Sequence, residues 1–95
     1  MTNGAVVASS AGAAATVKAI KASGVLVHVS PEDFQSILRR AQGAVLVHAP
    51  GGLFSKRHQY LVGYKGLAFF TKSNDEISSP AGVETVEARK IWVPG

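Results

Sequence analysis

Residues 24 to 31 read GVLVHVSP and residues 43 to 50 read GAVLVHAP, so the chain writes Val-Leu-Val-His twice, each time shortly before a proline. Each copy is rich in β-branched residues and bounded by Gly and Pro, which is how a short strand reads. Between them lies a helix with both ends marked. Ser30 stands at the cap, Pro31 occupies the first turn, where its missing N–H leaves nothing unpaired, and Asp33 completes a Ser-x-x-Asp capping pattern. Phe34, Ile37, Leu38 and Ala41 recur at the spacing of one buried face, with Gln35, Ser36 and Arg39 outside. Glu32 and Asp33 at the start and Arg39 and Arg40 at the end complement the helix dipole, and Gly43 supplies the stop. The connection is just long enough for the helical crossover that joins parallel strands. The repeat is therefore expected to be two equivalent strands entering and leaving one helix, a β-α-β unit.

Beyond the second copy, APGGLFSKRHQ reads as a loop by its Pro-Gly-Gly and its charges. YLVGYKGLAFFTK then carries two apolar runs about Lys65-Gly66, where Gly takes the positive φ of a tight turn, and predicts a hairpin of 59–65 with 67–72. In that register Tyr64 faces Leu67, Val62 faces Phe69 and Tyr60 faces Thr71, while Leu61 and Phe70 share the opposite face with Gly63 and Ala68. SNDEISSPAG is a turn-rich linker, and Val83 to Val93 a final strand ended by Pro94. Residues 16–23, TVKAIKAS, fit a helical turn or an extra strand equally well. Residues 1–15 are small and uncharged, and are expected to form a flexible tail. With no Lys or Arg before the short AVVA run, they are not expected to make a secretory signal. The fold class predicted is α+β: one domain over 16–95, a mixed sheet with one main helix, in the order strand, helix, strand, hairpin, final strand.

Composition bounds the function. A chain of 95 residues that is 46% hydrophobic has room for one modest core and no second domain. Without cysteine it has no disulfide, thiolate metal site or thiol nucleophile, and it suits a reducing compartment, so a cytoplasmic location is expected. No stretch approaches the roughly 20 apolar residues that span a bilayer, so no membrane association is expected. The formal charge is +4, and between Asp33 and Asp75 there is no acidic residue, whereas Arg39, Arg40, Lys56, Arg57, Lys65 and Lys72 all fall in that window. Such asymmetry is able to attract an anionic partner, and equally reads as a solvated basic face without one.

The runs KAIKASG, PEDF, YLVGYKGLAFFTKS and EARKIWVP, which cover most of residues 18–94, resemble a group of short bacterial proteins of unknown function. That resemblance implies a small bacterial domain and no particular activity. The segment DFQSILRRAQGAVLVHAP also resembles the start of a thioredoxin-like domain, but Gly51-Gly52 stands where the redox cysteines would be, which excludes thioredoxin chemistry.

Two sets of residues are candidates for a site. If the two repeat strands are parallel neighbours in matching register, Val25, Val27, Val45 and Val47 lie under the helix, and His28 and His48 stand together on the other face at the carboxyl ends of the strands. His58, after the loop, can approach them. Three histidines can hold zinc, yet the spacing lacks a local metal signature and no acidic residue in 34–74 is available to orient the rings, so no metal and no cofactor is expected. The loop supplies the second set: Gly51 and Gly52 can turn backbone N–H groups toward an anion, and Ser55, Lys56, Arg57 and His58 add donors. Lys56, Arg57, Lys65 and Lys72 beside Tyr60, Tyr64, Phe69 and Phe70 also have the mixture of cations and rings used on single-stranded nucleic acid. No nucleophile with its base and orienting carboxylate is evident.

The expected function is thus a small non-enzymatic binding or oligomerisation module. The alternative is a protein that binds a small anion or nucleotide through the Gly51–His58 loop, or single-stranded nucleic acid. Because one helix covers only one side of a sheet that is apolar on both, a homodimer closing over the other side is expected.

Overall fold

In this computed structural model, residues 10–23, 25–51, 57–89 and 91 are described. They form α1 (Ser10–Ser23), β1 (Val25–His28), α2 (Pro31–Arg40), β2 (Val45–Ala49), β3 (His58–Tyr64), β4 (Leu67–Ser73) and β5 (Glu84–Glu87). The five strands make one mixed sheet in the order β1-β4-β3-β2-β5. β1 is parallel to β4 and β2 to β5, while β3 runs antiparallel to both of its neighbours. The α+β architecture expected from the sequence is the one observed.

The hairpin follows its turn chemistry. Lys65 (φ 52°) and Gly66 (φ 78°) both take positive φ, the requirement of a two-residue turn matched to strand twist. Tyr64 pairs with Leu67, Val62 with Phe69 and Tyr60 with Thr71. α2 starts and stops as its caps dictate: Ser30 Oγ accepts the Asp33 N–H at 3.1 Å, Pro31 opens the helix, and Gly43 (φ 85°) turns the chain into β2. The final strand is shorter than the sequence suggests, Glu84–Glu87. The Ala88 N–H still bonds the His48 carbonyl at 2.9 Å, and Ile91 is buried. Trp92 to Gly95 lie outside the described residues.

The β-α-β unit differs from expectation in one respect. β1 and β2 run in the same direction, but they are not neighbours, because β4 and β3 lie between them. Register across the sheet then sets the faces. Val27, Phe69, Val62, Leu46 and Thr85 stand in one row, and His28, Phe70, Leu61, Val47 and Val86 in the next. Residues of one row share a face and adjacent rows alternate. His28 is thus level with Val47 rather than His48, and the two copies of the repeat present opposite faces. Leu46, not Val45 and Val47, packs under α2, with Phe34, Leu38, Tyr60 and Val62.

The other face is covered from within the chain. Residues 16–23 belong to α1, which begins at Ser10, inside the segment expected to be a tail; residues 1–9 lie outside the described residues. Alanines at 11, 13, 14, 15, 19 and 22 explain the helix, since Ala has the highest helix propensity. Val17 packs with Val47, Leu61, Ala68, Phe70, Val86 and Ile91, and Ile20 joins that cluster. Ile20 lies over Gly63, where a Cβ would be in ordinary van der Waals contact with it at 3.4 Å. The uncovered face on which the homodimer expectation rested is occupied by α1. Among the described residues, no helix is long and apolar enough to cross a membrane.

Phe34, with no exposed surface, anchors the α2 layer. Phe34→Ala is expected to lower unfolding free energy by about 3–5 kcal/mol, and Ser30→Ala by about 1 kcal/mol through the lost cap. Urea unfolding followed by circular dichroism measures both, and equal losses in the two variants would contradict this division between core and cap.

Candidate functional site

The chemistry-bearing residues collect at the carboxyl ends of β1 and β2, where β3 begins. In the row Thr71, Tyr60, His48 and Glu87, every side chain lies on the α2 face. His58, two residues before Tyr60, lies on that face too. His48 is buried, at 6% exposure, and its ring stacks on Tyr60 with centroids 4.7 Å apart and planes 12° apart. Both of its ring nitrogens are engaged: Nδ1 lies 2.7 Å from Glu87 Oε2, and Nε2 lies 2.8 Å from His58 Nδ1. A carboxylate, a buried imidazole and a half-buried imidazole are thus joined in line.

The sequence allows His48 and His58 to approach one another but shows no acidic residue within 34–74 to orient a ring. Glu87 corrects that. It lies far along the chain and outside the window searched, and only the parallel pairing of β2 with β5, which sets His48 level with Glu87, brings it there. Nothing in the local spacing signals this contact. The alternation of Glu84, Thr85, Val86 and Glu87 shows only that Glu87 and Val86 face opposite ways.

Tyr60 supports the cluster from below. It is 1% exposed, its hydroxyl oxygen accepts the Ile77 N–H at 2.7 Å, and its ring lies 6.1 Å from that of Phe34. Burial raises the phenol above its ordinary value by disfavouring the phenolate; the Ile77 hydrogen bond opposes this, while Glu76 and Glu87 add to it.

His28 stands apart, on the opposite face, with its ring edge against Phe70 at 5.1 Å. Arg57 and His58, adjacent in sequence, diverge likewise. Arg57 joins His28 and Lys72 in lining a cleft of about 290 Å³ beside the end of β1, together with Val29, Pro31, Phe70 and Thr71. Thr71 is 2% exposed, and its buried hydroxyl has no hydrogen-bond partner among the described residues. Of the loop residues singled out from the sequence, Gly51 is exposed at the end of β2, while Gly52, Ser55 and Lys56 lie outside the described residues. The remaining basic residues are elsewhere: Arg39 and Arg40 end α2, and Lys65 sits in the hairpin turn, its Nζ 5.4 Å from the Tyr64 ring centroid. No grouping of three His, Asp or Glu side chains able to hold a metal ion is found among the described residues.

No protein-family model, no curated protein and no solved structure matches the chain. The geometry alone therefore carries the functional reading.

Tyr60 gives a pH signature. Its folded-state pKa lies above that of the unfolded chain, about 10, so its contribution is fully present below that value and is lost as pH rises through the folded pKa. Stability should fall above about pH 10, and Tyr60→Phe should flatten that part of the profile. The same variant should cost about 1–3 kcal/mol near neutral pH by leaving the Ile77 N–H without its acceptor. Denaturant unfolding across pH checks both, and an unchanged alkaline slope in Tyr60→Phe would contradict the assignment.

Proposed function

We propose that the protein is a small binding module whose ligand is an anion of the phosphate class, taken into the cleft formed by His28, Arg57 and Lys72. The observation that carries this is the convergence of three basic side chains from three separate segments on one cleft, with no carboxylate in its lining among the described residues. Two cations at strand ends repel one another, and an anion between them turns that repulsion into attraction. The cleft also lies where open sheets commonly take ligands, beyond the carboxyl ends of the strands. Val29 and Pro31 place the amino-terminal end of α2 at its rim. Glu32 and Asp33 in that first turn oppose an anion, so Arg57 and Lys72 must supply most of the attraction. Thr71, whose buried hydroxyl has no hydrogen-bond partner among the described residues, stands in the same wall.

The test is thermal. A ligand that binds only the folded state stabilises it by about 2.7 kcal/mol at a hundred times its Kd. Inorganic phosphate, pyrophosphate or a mononucleotide should raise the melting temperature, and Arg57→Ala with Lys72→Ala should remove the shift. A shift that survives the double substitution, or no shift with any of these anions, contradicts the reading. Single-stranded nucleic acid is less well supported by the fold, because Tyr60 and Phe70, at 1% and 2% exposure, cannot offer ring faces to bases.

Self-association is favoured by a different observation, the contrast between the sheet's two edges. β5 carries the exposed charges Glu84 and Glu87, which discourage pairing. β1 carries no charge, pairs among the described residues with β4 alone, and exposes Val25 at 68%. In this second reading, two β1 strands pair antiparallel about a two-fold axis and continue the sheet. Light scattering should then give twice the monomer mass at micromolar concentration, and Val25→Lys should restore the monomer. A monomeric mass for the unaltered chain throughout the accessible range rules the edge pairing out.

A further inference from the structure

The line of Glu87, His48 and His58 goes beyond the anion cleft, whose lining includes none of these residues. Its proton positions follow from simple bookkeeping of donors and acceptors. An ionised Glu87 carboxylate can only accept, so the proton between it and His48 is on His48 Nδ1. A neutral His48 then presents a lone pair at Nε2, and the proton of the second bond must be on His58 Nδ1. His58 Nε2 is left with its lone pair. That nitrogen has no hydrogen-bond partner among the described residues, and its ring is half-buried rather than enclosed. The carboxylate and the buried ring fix the tautomer of the outer ring, the role that an orienting group plays for a catalytic base.

From this geometry we propose that His58 is a nucleophile for acyl transfer from an activated carboxylic ester, with His48 and Glu87 as positioning residues that take up its proton. The His58 Nε2 lone pair attacks the ester carbonyl carbon, and the bond to the ester oxygen breaks, that oxygen leaving with the electron pair. The His58 Nδ1 proton passes to His48 Nε2, which yields a neutral acyl-imidazole and a His48 imidazolium paired with the Glu87 carboxylate. Water then adds to the acyl carbon, the carbon–nitrogen bond breaks with its pair returning to Nε2, and His48 returns the proton to His58 Nδ1. The proton that water gives up balances the departed alkoxide, so the sum is ester plus water to acid plus alcohol. A neutral acyl donor fits better than a phosphoryl donor, because Glu87 belongs to the relay and Glu76 also acts on the adjoining Tyr60. A highly charged phosphoryl group would meet that negative field.

The probe is p-nitrophenyl acetate with the full-length protein, followed by p-nitrophenolate release at neutral pH. His58→Gln should lower release by about tenfold or more, the smaller end of what a positioned imidazole contributes. Glu87→Gln, at a side chain that is 57% exposed and so removable without disturbing the core, should lower it severalfold with an unchanged circular dichroism melt. His48→Phe should abolish the enhancement, whereas His48→Gln, whose amide oxygen can accept a hydrogen bond from His58 Nδ1–H and so keep the ring oriented, should restore part of it. A structural role alone would not separate Gln from Phe in this way. Release that is unchanged in His58→Gln, or equal in Glu87→Gln and the unaltered chain, overturns the proposal. Anion binding in the His28 cleft is untouched by either result.

Discussion

The antiparallel pairing of β2 with β3, which sets Leu46 level with Val62 and His48 level with Tyr60, is the constraint on which the rest of the structure depends. Side chains alternate along a strand, so this one register decides which residues face α2 and which face α1. A slip of β2 by one residue would turn His48 toward α1, separate it from Tyr60 and Glu87, and carry Leu46 away from the cluster under α2. Because both faces of the central strands are apolar, such a slip would not be prevented by polar residues. The shapes of the two clusters under α1 and α2 hold the register instead.

From that register comes the division of the molecule's functional groups into two sites. The row containing Glu87, His48, Tyr60 and Thr71 ends under the start of α2, and Arg57 and His58, adjacent in sequence, go to different sites. The α2 face of β2, β3 and β5 thus collects an oriented pair of imidazoles with their carboxylate, and the end of β1 a separate cleft with His28, Arg57 and Lys72. Both sites lie at the same end of the strands, while Arg39, Arg40 and Lys65 lie at the opposite end. The excess of basic residues in the middle of the sequence is therefore not one basic face.

Local features of the fold were legible in the sequence because local chemistry determines them. Ser30, Pro31 and Asp33 mark the start of α2, Gly43 marks its end, and Lys65-Gly66 fixes the hairpin and its pairing. The interposition of β3 and β4 between the repeat strands was not legible, since a crossover joins neighbouring or separated strands with the same sequence signals. Nor was α1 from Ser10, where a run of small residues reads as a tail by its lack of charge and as a helix by its alanines. The Glu87 contact with His48 was hidden for the same reason as the strand order. It depends on a parallel pairing between distant segments, and sequence spacing carries no trace of it.

If the register argument is right, the two imidazoles must hold defined tautomers, and nuclear magnetic resonance of the ¹⁵N-labelled protein reads these directly. At a pH where both rings are neutral, the account predicts a protonated Nδ1 on both His48 and His58, the less common tautomer of free histidine, with a scalar coupling across the bond between His48 Nε2 and His58 Nδ1. His28, which is exposed against Phe70, serves as the internal reference for an unconstrained ring. Protonated Nε2 on both His48 and His58, with no coupling between the rings, would contradict it.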